Sequence, residues 1–301
     1  PESLLDQVLN KGKLVRDPEQ KPYAVDMVDE FVQQILEAGD TVSKDTIVFI
    51  QKRIDEIDQL LSKQLDEVLH NPDLQKLEAS WRGLNYLVMN TETSTKLKLR
   101  LMNVSKTELR QDLEKAIEFD QSALFKKIYE EEYGTFGGNP YSALMVDYQF
   151  NATSPDMSLL MKLSNVAAAA HAPVLAAAAP DLFDLDSFGD LGKPRDLAKI
   201  FESVDKVKWK SFRETEDSRY VSLFLPKVLL RLPYGPTTLP VEGFNYEEVV
   251  DGKTLKTFVW GNPAFMMAQR ITNAFALYGW TAAIRGVEGG GLVENLPSYT
   301  F

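Results

Sequence analysis

The sequence contains no cysteine and only two histidines, His70 and His171, in 301 residues. Disulfide frameworks and thiolate metal sites are thereby excluded, and the composition is compatible with a reducing cytoplasm. Long hydrophobic runs are missing too. The longest apolar stretch, Val166 to Ala179, is alanine-rich and broken by His171 and Pro173, whereas a bilayer crossing needs about 20 apolar residues. Basic charge is in deficit: 33 Lys and Arg stand against 44 Asp and Glu, a formal net charge of -11, and residues 1–95 hold 10 of the basic and 18 of the acidic side chains. A field of that sign repels phosphate backbones, which argues against nucleic acid and leaves proteins as the easier partners to expect.

Signatures of catalysis are equally scarce. There is no G-x-S-x-G elbow, no G-x-x-x-x-G-K-[ST] loop, no H-E-x-x-H and no G-x-G-x-x-G. His70 falls at a predicted helix end, where the dipole favours a cation, and His171 lies between an alanine-rich helix and a strand, where a satisfied core imidazole is expected. Asp181, Asp184, Asp186 and Asp190 fail the order of a calcium loop because Phe188 and Gly189 interrupt them, so a solvated turn is the simpler reading. The mixture Lys206, Lys208, Trp209, Lys210, Phe212 and Arg213 resembles a single-strand binder, but Glu214, Glu216 and Asp217 cancel its field. An amphipathic surface helix with snorkelling lysines, or a charged protein contact, is favoured there. Glycine-rich turns at 134–138 and 286–291 are the places an α/β hydrolase or nucleotide-binding enzyme could use, and the alternative function rests on them. For the second, a backbone turn needing positive φ is the plainer account.

What the sequence does have is periodicity. Val25, Val28, Phe31, Val32, Ile35 and Leu36 recur at helical spacing before Gly39. Ser43 offers an N-cap for a second helix, whose Ile47, Ile50, Ile54, Ile57, Leu61, Leu65 and Val68 trace a heptad-like seam ending near Asn71-Pro72. Ile47, Ile50, Ile54, Ile57 and Leu61 form a face suited either to binding partner helices or to sealing this subunit, with intramolecular packing favoured. A third helix carries Leu74, Leu77, Trp81, Leu84 and Val88 as one narrow stripe.

From about Lys96 the period changes. Leu97, Leu99 and Leu101 alternate with polar neighbours as a half-buried strand would. Helical segments around 106–118 and 121–131 lead to the run Ala143–Tyr148, a core strand. Ser154-Pro155-Asp156 has the order of a helix start, followed by a face of Leu160, Leu163, Ala167 and Ala170. Pro173–Ala178 reads as a buried strand, 194–203 as a helix, Tyr220–Leu225 and Phe258–Trp260 as strands, and Asn262-Pro263 as the opening of a helix to Gly279. The expected fold class is α/β, with mixed α+β as its variant: an N-terminal helical region over 1–95, then a layered, mostly parallel sheet flanked by helices over 96–301.

Several strings occur together and in order: Ser80-Trp81-Arg82-Gly83-Leu84; Tyr133-Gly134-Thr135-Phe136-Gly137-Gly138; Ala170-His171-Ala172-Pro173; Trp209-Lys210-Ser211-Phe212-Arg213-Glu214 with Glu216-Asp217-Ser218-Arg219-Tyr220; Leu230-Arg231-Leu232-Pro233-Tyr234-Gly235; and Trp260-Gly261-Asn262. As an ordered set they resemble the TssC/VipB family, the large subunit of the type VI secretion contractile sheath. One departure is Val146-Asp147-Tyr148, where the family often has a glycine before the acid. The resemblance implies a structural subunit and no enzyme, with no cofactor and no metal. It implies pairing with a small TssB-like subunit, stacking with further copies into a helical tube around an inner Hcp tube, attachment to a baseplate, and recycling by a ClpV-type AAA+ unfoldase in the bacterial cytoplasm. It implies neither nucleic-acid binding nor direct membrane insertion. It further implies a C-terminal region of well over a hundred residues after the α/β part, which is thus incomplete at its C-terminal end. Ser3 to Leu9 resembles the short helix offered to the unfoldase, with Leu4, Leu5, Val8 and Leu9 as its apolar face; a helix packed on its own domain is the other reading.

Overall fold

The computed structural model describes residues 18–37, 46–193, 196–252 and 255–299. The chain divides into two compact units, Pro1–Leu61 and Ser62–Phe301. In the first, a 3-10 turn Pro18–Gln20 leads into α1 (Lys21–Glu37), and α2 (Thr46–Leu69) begins. At 24 residues α2 is about 36 Å long. The last turns of α2 belong to the second unit, which continues with α3 (Pro72–Met89) and α4 (Lys106–Lys115).

Helix starts follow their caps. Asn71 accepts from the Asp73 amide at 2.9 Å with Pro72 in the first turn of α3, and Ser105 and Glu108 form a reciprocal capping box at the head of α4. A short α5 (Ala123–Phe125) opens into π-helical turns over Lys126–Tyr133, and β1 (Leu144–Phe150), α6 (Ser154–Ala170) and β2 (Val174–Ala178) follow. Next come α7 (Leu197–Ile200), α8 (Val207–Glu214), β3 (Val221–Phe224), β4 (Val228–Arg231), β5 (Val259–Gly261) and α9 (Ala264–Tyr278).

The sheet β1-β2-β3 is parallel throughout, and β4-β5 form a separate antiparallel pair. Successive side chains of a strand face opposite ways, and here that alternation separates two cores. Val174 and Ala176 of β2, with Leu144, Val146 and Tyr148 of β1, pack on Leu159, Leu160, Leu163 and Val166 of α6. Leu175, Met145 and Phe224 face the other way, onto Phe265 and Met266 of α9 and Leu87 of α3. Every residue of β2 is buried, as expected of a central strand covered on both sides. The α/β reading of the sequence therefore holds, with a parallel three-stranded sheet between helices.

Three expectations are corrected. Residues 97–101 form no strand: Leu101 stands 71% exposed, and Lys98 and Arg100 reach sideways to Asn139 and Glu132. Alternation records sidedness, but a strand also needs a paired neighbour, and none of the described strands pairs with this segment. In α3 only part of the apolar stripe packs, with Leu84 against the second core. Leu77, Trp81 and Val88 are exposed, while Gly83 and Leu87 are buried. The reason is a close helix approach: a Cβ on Gly83 would lie 2.4 Å from Phe265 Cδ2, so the contact runs through a residue that hydropathy does not register. Gly83→Val is expected to cost about 1–3 kcal/mol of overpacking, read as a lower urea midpoint with an unchanged slope.

His171 is the third. It is exposed rather than a core imidazole, and sits at the C-terminal cap of α6 in the left-handed region (φ 52). The Ala172 amide reaches back to Ala167 O at 3.0 Å, closing a Schellman turn. Its ring faces Tyr133 and Tyr220.

Candidate functional site

Two places on the molecule gather the residues singled out above. The first is the seam of α2. Ile50, Ile54, Ile57 and Leu61 are 44, 45, 50 and 51% exposed; of Ile47 only the backbone, within the helix, is described. Leu60 and Val48 beside them are more exposed still. Lys52, Arg53 and Glu56 form ion pairs along the same helix, at 3.7 Å for Lys52–Glu56 and 2.6 Å for Arg53–Glu56. The helix thus carries half-exposed apolar side chains beside paired charges. Leu4, Leu5, Val8 and Leu9 lie outside the described residues.

The second place is a buried ionic hub in the second unit. Within Val228-Leu229-Leu230-Arg231-Leu232 a single cation interrupts an apolar strand, and burial requires that it be paired. Arg231 makes a two-pronged contact with Glu248, Nη1 to Oε2 at 2.5 Å and Nη2 to Oε1 at 3.1 Å, and its Nε donates to Glu78 at 2.8 Å. Tyr234 covers the guanidinium at 4.6 Å, and its amide donates to Glu248 at 3.0 Å. His70, just past α2, meets Glu248 at 3.2 Å, and Arg82 meets Glu78 at 2.7 Å. Tyr246 donates to Asp66 at 2.7 Å, and burial followed by that carboxylate pushes its hydroxyl well above the ordinary range. For Glu248, burial raises the carboxyl, but hydrogen bonds from Arg231 and the Tyr234 amide outweigh it and hold the group below its usual value.

Beside the hub the short motifs converge. Ser80 donates to Asp147 at 2.5 Å, and Asn262 reaches Asp147 at 3.2 Å and Val146 O at 3.3 Å while accepting from the Ala264 amide at 2.8 Å. A Cβ on Gly261 would lie 2.1 Å from Leu230 Cδ1. Strings that are far apart in sequence thus meet where α3, β1, β4, β5 and α9 join, and Asp147, the acid that follows the departure at Val146, is part of the joint. The other strings serve locally. Thr135 and Gly134 bond back to Glu130 O and Tyr129 O, leaving Phe136 wholly in solvent. Phe212 is buried in the α6 core, and Lys206 is buried between Asp181 O at 3.0 Å and Asp184 at 2.8 Å. The aspartates 181 and 184 therefore hold a lysine. Glu78, Glu248 and Asp66 were not singled out from the sequence; the lone arginine in an apolar strand was the one signal that buried acids had to exist.

Among the described residues no group of three or more His, Cys, Asp or Glu side chains is placed to hold a metal ion, and no helix is long and apolar enough to cross a membrane. The glycine turns are backbone devices. Gly134 closes a helical segment, and Gly286 and Gly290 take positive φ in a five-residue turn closed by Gly291 N to Gly286 O at 2.8 Å.

Residues 51–301 match the family described as VipB: EvpB/VC_A0108, tail sheath N-terminal domain. The chain belongs to that family. It is also similar to the type VI secretion system sheath protein TssC1 of Pseudomonas aeruginosa, with 46% identity over 276 residues, 91% of this chain and 55% of the relative. The chain thus spans about half the length of that curated relative. Both descriptions are of a sheath protein, a structural class and not an enzyme class. In VipB terms, the matched region begins inside α2 and includes Ile54, Ile57 and Leu61 of the seam together with the whole hub.

Proposed function

We propose that this chain is the N-terminal part of the large subunit of a type VI contractile sheath, and that the α2 seam is its contact with the helices of a small TssB-like subunit. The heterodimers stack with further copies into a helical tube around an inner Hcp tube, seated on a baseplate in the bacterial cytoplasm, and contraction propels the inner tube outward. Energy is held in an extended lattice and released by rearrangement of packed subunits, so no active site is called for. Leu4, Leu5, Val8 and Leu9 offer the apolar face that a ClpV-type unfoldase grips when the contracted tube is recycled. The observation that carries the seam assignment is the half-exposure of Ile50, Ile54, Ile57 and Leu61 on one face of a 24-residue helix. Exposed apolar ridges at this spacing favour a helical partner.

The test is co-expression of the full-length parent with its small-subunit candidate, read by affinity co-purification and negative-stain electron microscopy. The unsubstituted pair is expected to form hollow helical tubules. Ile54→Asp with Ile57→Asp is expected to abolish co-purification and tubules while leaving the thermal midpoint of the isolated chain nearly unchanged, because exposed positions contribute little to folding. Retained co-purification would remove the seam from the interface; absence of tubules from the unsubstituted pair would remove the sheath reading itself.

A further inference from the structure

The turn that follows the π-helical segment Lys126–Tyr133 holds Phe136 wholly in solvent, yet the turn itself is tied at many points. The Gly134 amide donates to Tyr129 O at 2.6 Å, the Thr135 hydroxyl to Glu130 O at 2.5 Å and the Gly138 amide to Thr135 O at 3.0 Å. The Asn139 amide donates to Glu132 at 2.8 Å, Glu132 pairs with Arg100, and Gly137 takes φ 83. A large ring on a turn so fixed loses little freedom when it is covered, as an interface anchor should. Tyr133, at the base of the turn, faces His171 at 5.9 Å, so the turn lies at the C-terminal end of α6. The opposite end of α6 carries a different surface. There Lys208 donates to Ser154, the first residue of the helix, at 2.6 Å. Just before Lys208 in the chain, Val204 is 85% and Val207 59% exposed, and Leu197 is 38%. Single exposed apolar residues need no explanation, but three in one short segment mark a surface suited to contact.

We propose that the Phe136 turn of one copy of this chain seats on the Leu197, Val204 and Val207 surface of a second copy, so that copies meet head to tail. The 17 residues of α6, about 25 Å, separate the two surfaces. Different surfaces at opposite ends of one body make a heterologous contact, which repeats into a ring or an open helix instead of stopping at a pair. The charges agree with this occupant. Residues 130–138 hold three acids and no base, while residues 196–213 hold five bases and three acids, against the acidic sense of the whole chain. Glu130 and Glu131 at one end, and Lys199 and Lys210 at the other, are exposed. Copies of net charge -11 repel one another in general, so a local meeting of opposite charge selects this pair of surfaces over others. The inference rests on the reading of the chain as a subunit that stacks with further copies, and adds which of its surfaces touch.

These residues include no cysteine, so cross-linking reads the contact directly. Full-length parent carrying Pro140→Cys, four residues after Phe136, is mixed with parent carrying Val204→Cys, each with its small-subunit candidate, and treated with a short bis-maleimide; cross-links of the unsubstituted parent are subtracted. The mixture is expected to give covalent dimers at least tenfold above either variant alone. Adding Phe136→Asp to the Pro140→Cys chain is expected to lower them at least tenfold with the thermal midpoint unchanged, because that ring lies in solvent. Dimers formed by the Pro140→Cys variant alone would mean that like ends meet, and overturn the proposal. So would a mixture no better than the single variants, and so would dimers indifferent to Phe136→Asp. Tubules are scored in the same samples: tubules without mixed dimers leave the sheath reading standing and remove this contact, whereas mixed dimers without tubules do the reverse.

Discussion

Replacing Arg231 by alanine is expected to lower the stability of the second unit by about 3–5 kcal/mol, because it leaves Glu248 buried with its main counter-charge gone. The Glu248 side chain is 1% exposed and the Arg231 side chain 2%, so water does not take over the lost bonds. The companion variant Arg231→Met with Glu248→Leu is expected to recover most of the loss. It removes both charges while Glu78 keeps Arg82 at 2.7 Å, and well-packed apolar replacements of buried pairs are often neutral. Urea unfolding of the three proteins at neutral pH checks this; a loss below about 1 kcal/mol for Arg231→Ala would mean that the hub relaxes around the vacancy.

The pH dependence follows from the sign of the Glu248 shift. Its carboxyl is held below the ordinary value in the folded chain, and an unfolded glutamate titrates at about 4.3. The folded state therefore binds fewer protons, and the contribution is fully present above the unfolded value and is lost as pH falls through the folded one. The stability difference between the unsubstituted chain and Glu248→Gln is accordingly expected to shrink as pH drops from about 6 to below 4. A difference that stays constant over that range would exclude an ionised Glu248 as the source.

Phe150→Ala is expected to be about as damaging, at about 3–5 kcal/mol. Phe150 ends β1 with no exposure at all and lies in the core shared by α4, α5 and α6. Its ring also lies 4.4 Å from the Lys106 ammonium, which pairs with Asp156 at 2.7 Å and donates to Gln149 O at 2.7 Å. Removing the ring opens a cavity and exposes that ion pair to a changed environment at once. Lys106→Met in the same background separates the two effects: the cavity cost persists, while any coupling appears as non-additivity. A Phe150→Ala loss near that of a surface substitution would show that the two-layer core is less tightly filled than its burial indicates.

These two sites also show where the sequence was informative. β1, β2 and α6 were readable because short apolar runs bounded by Pro155, Pro173 and turn residues leave few other arrangements, although the run Ala143–Tyr148 stops short of Phe150, and Asn262-Pro263 marks α9 for the same reason. The hub was not readable, since Glu78 and Glu248 look like any surface acids until the chain brings them to Arg231. Residues 97–101 misled because alternation carries no information about a neighbouring strand, and α3 misled in part because its closest approach to α9 is at Gly83, where there is no side chain. The family strings were legible as strings, but their meeting around Asp147 and Asn262 is a property of the fold.

The hub also sets a timetable for synthesis. Glu78 lies 153 residues before Arg231, His70 178 before Glu248 and Asp66 180 before Tyr246. Helices α2 and α3 therefore leave the ribosome long before their charged partners exist, and bonds of such sequence separation close late. Until residue 248 has emerged the charged partners are missing, and α3 waits longer still for Phe265 and Met266 of α9.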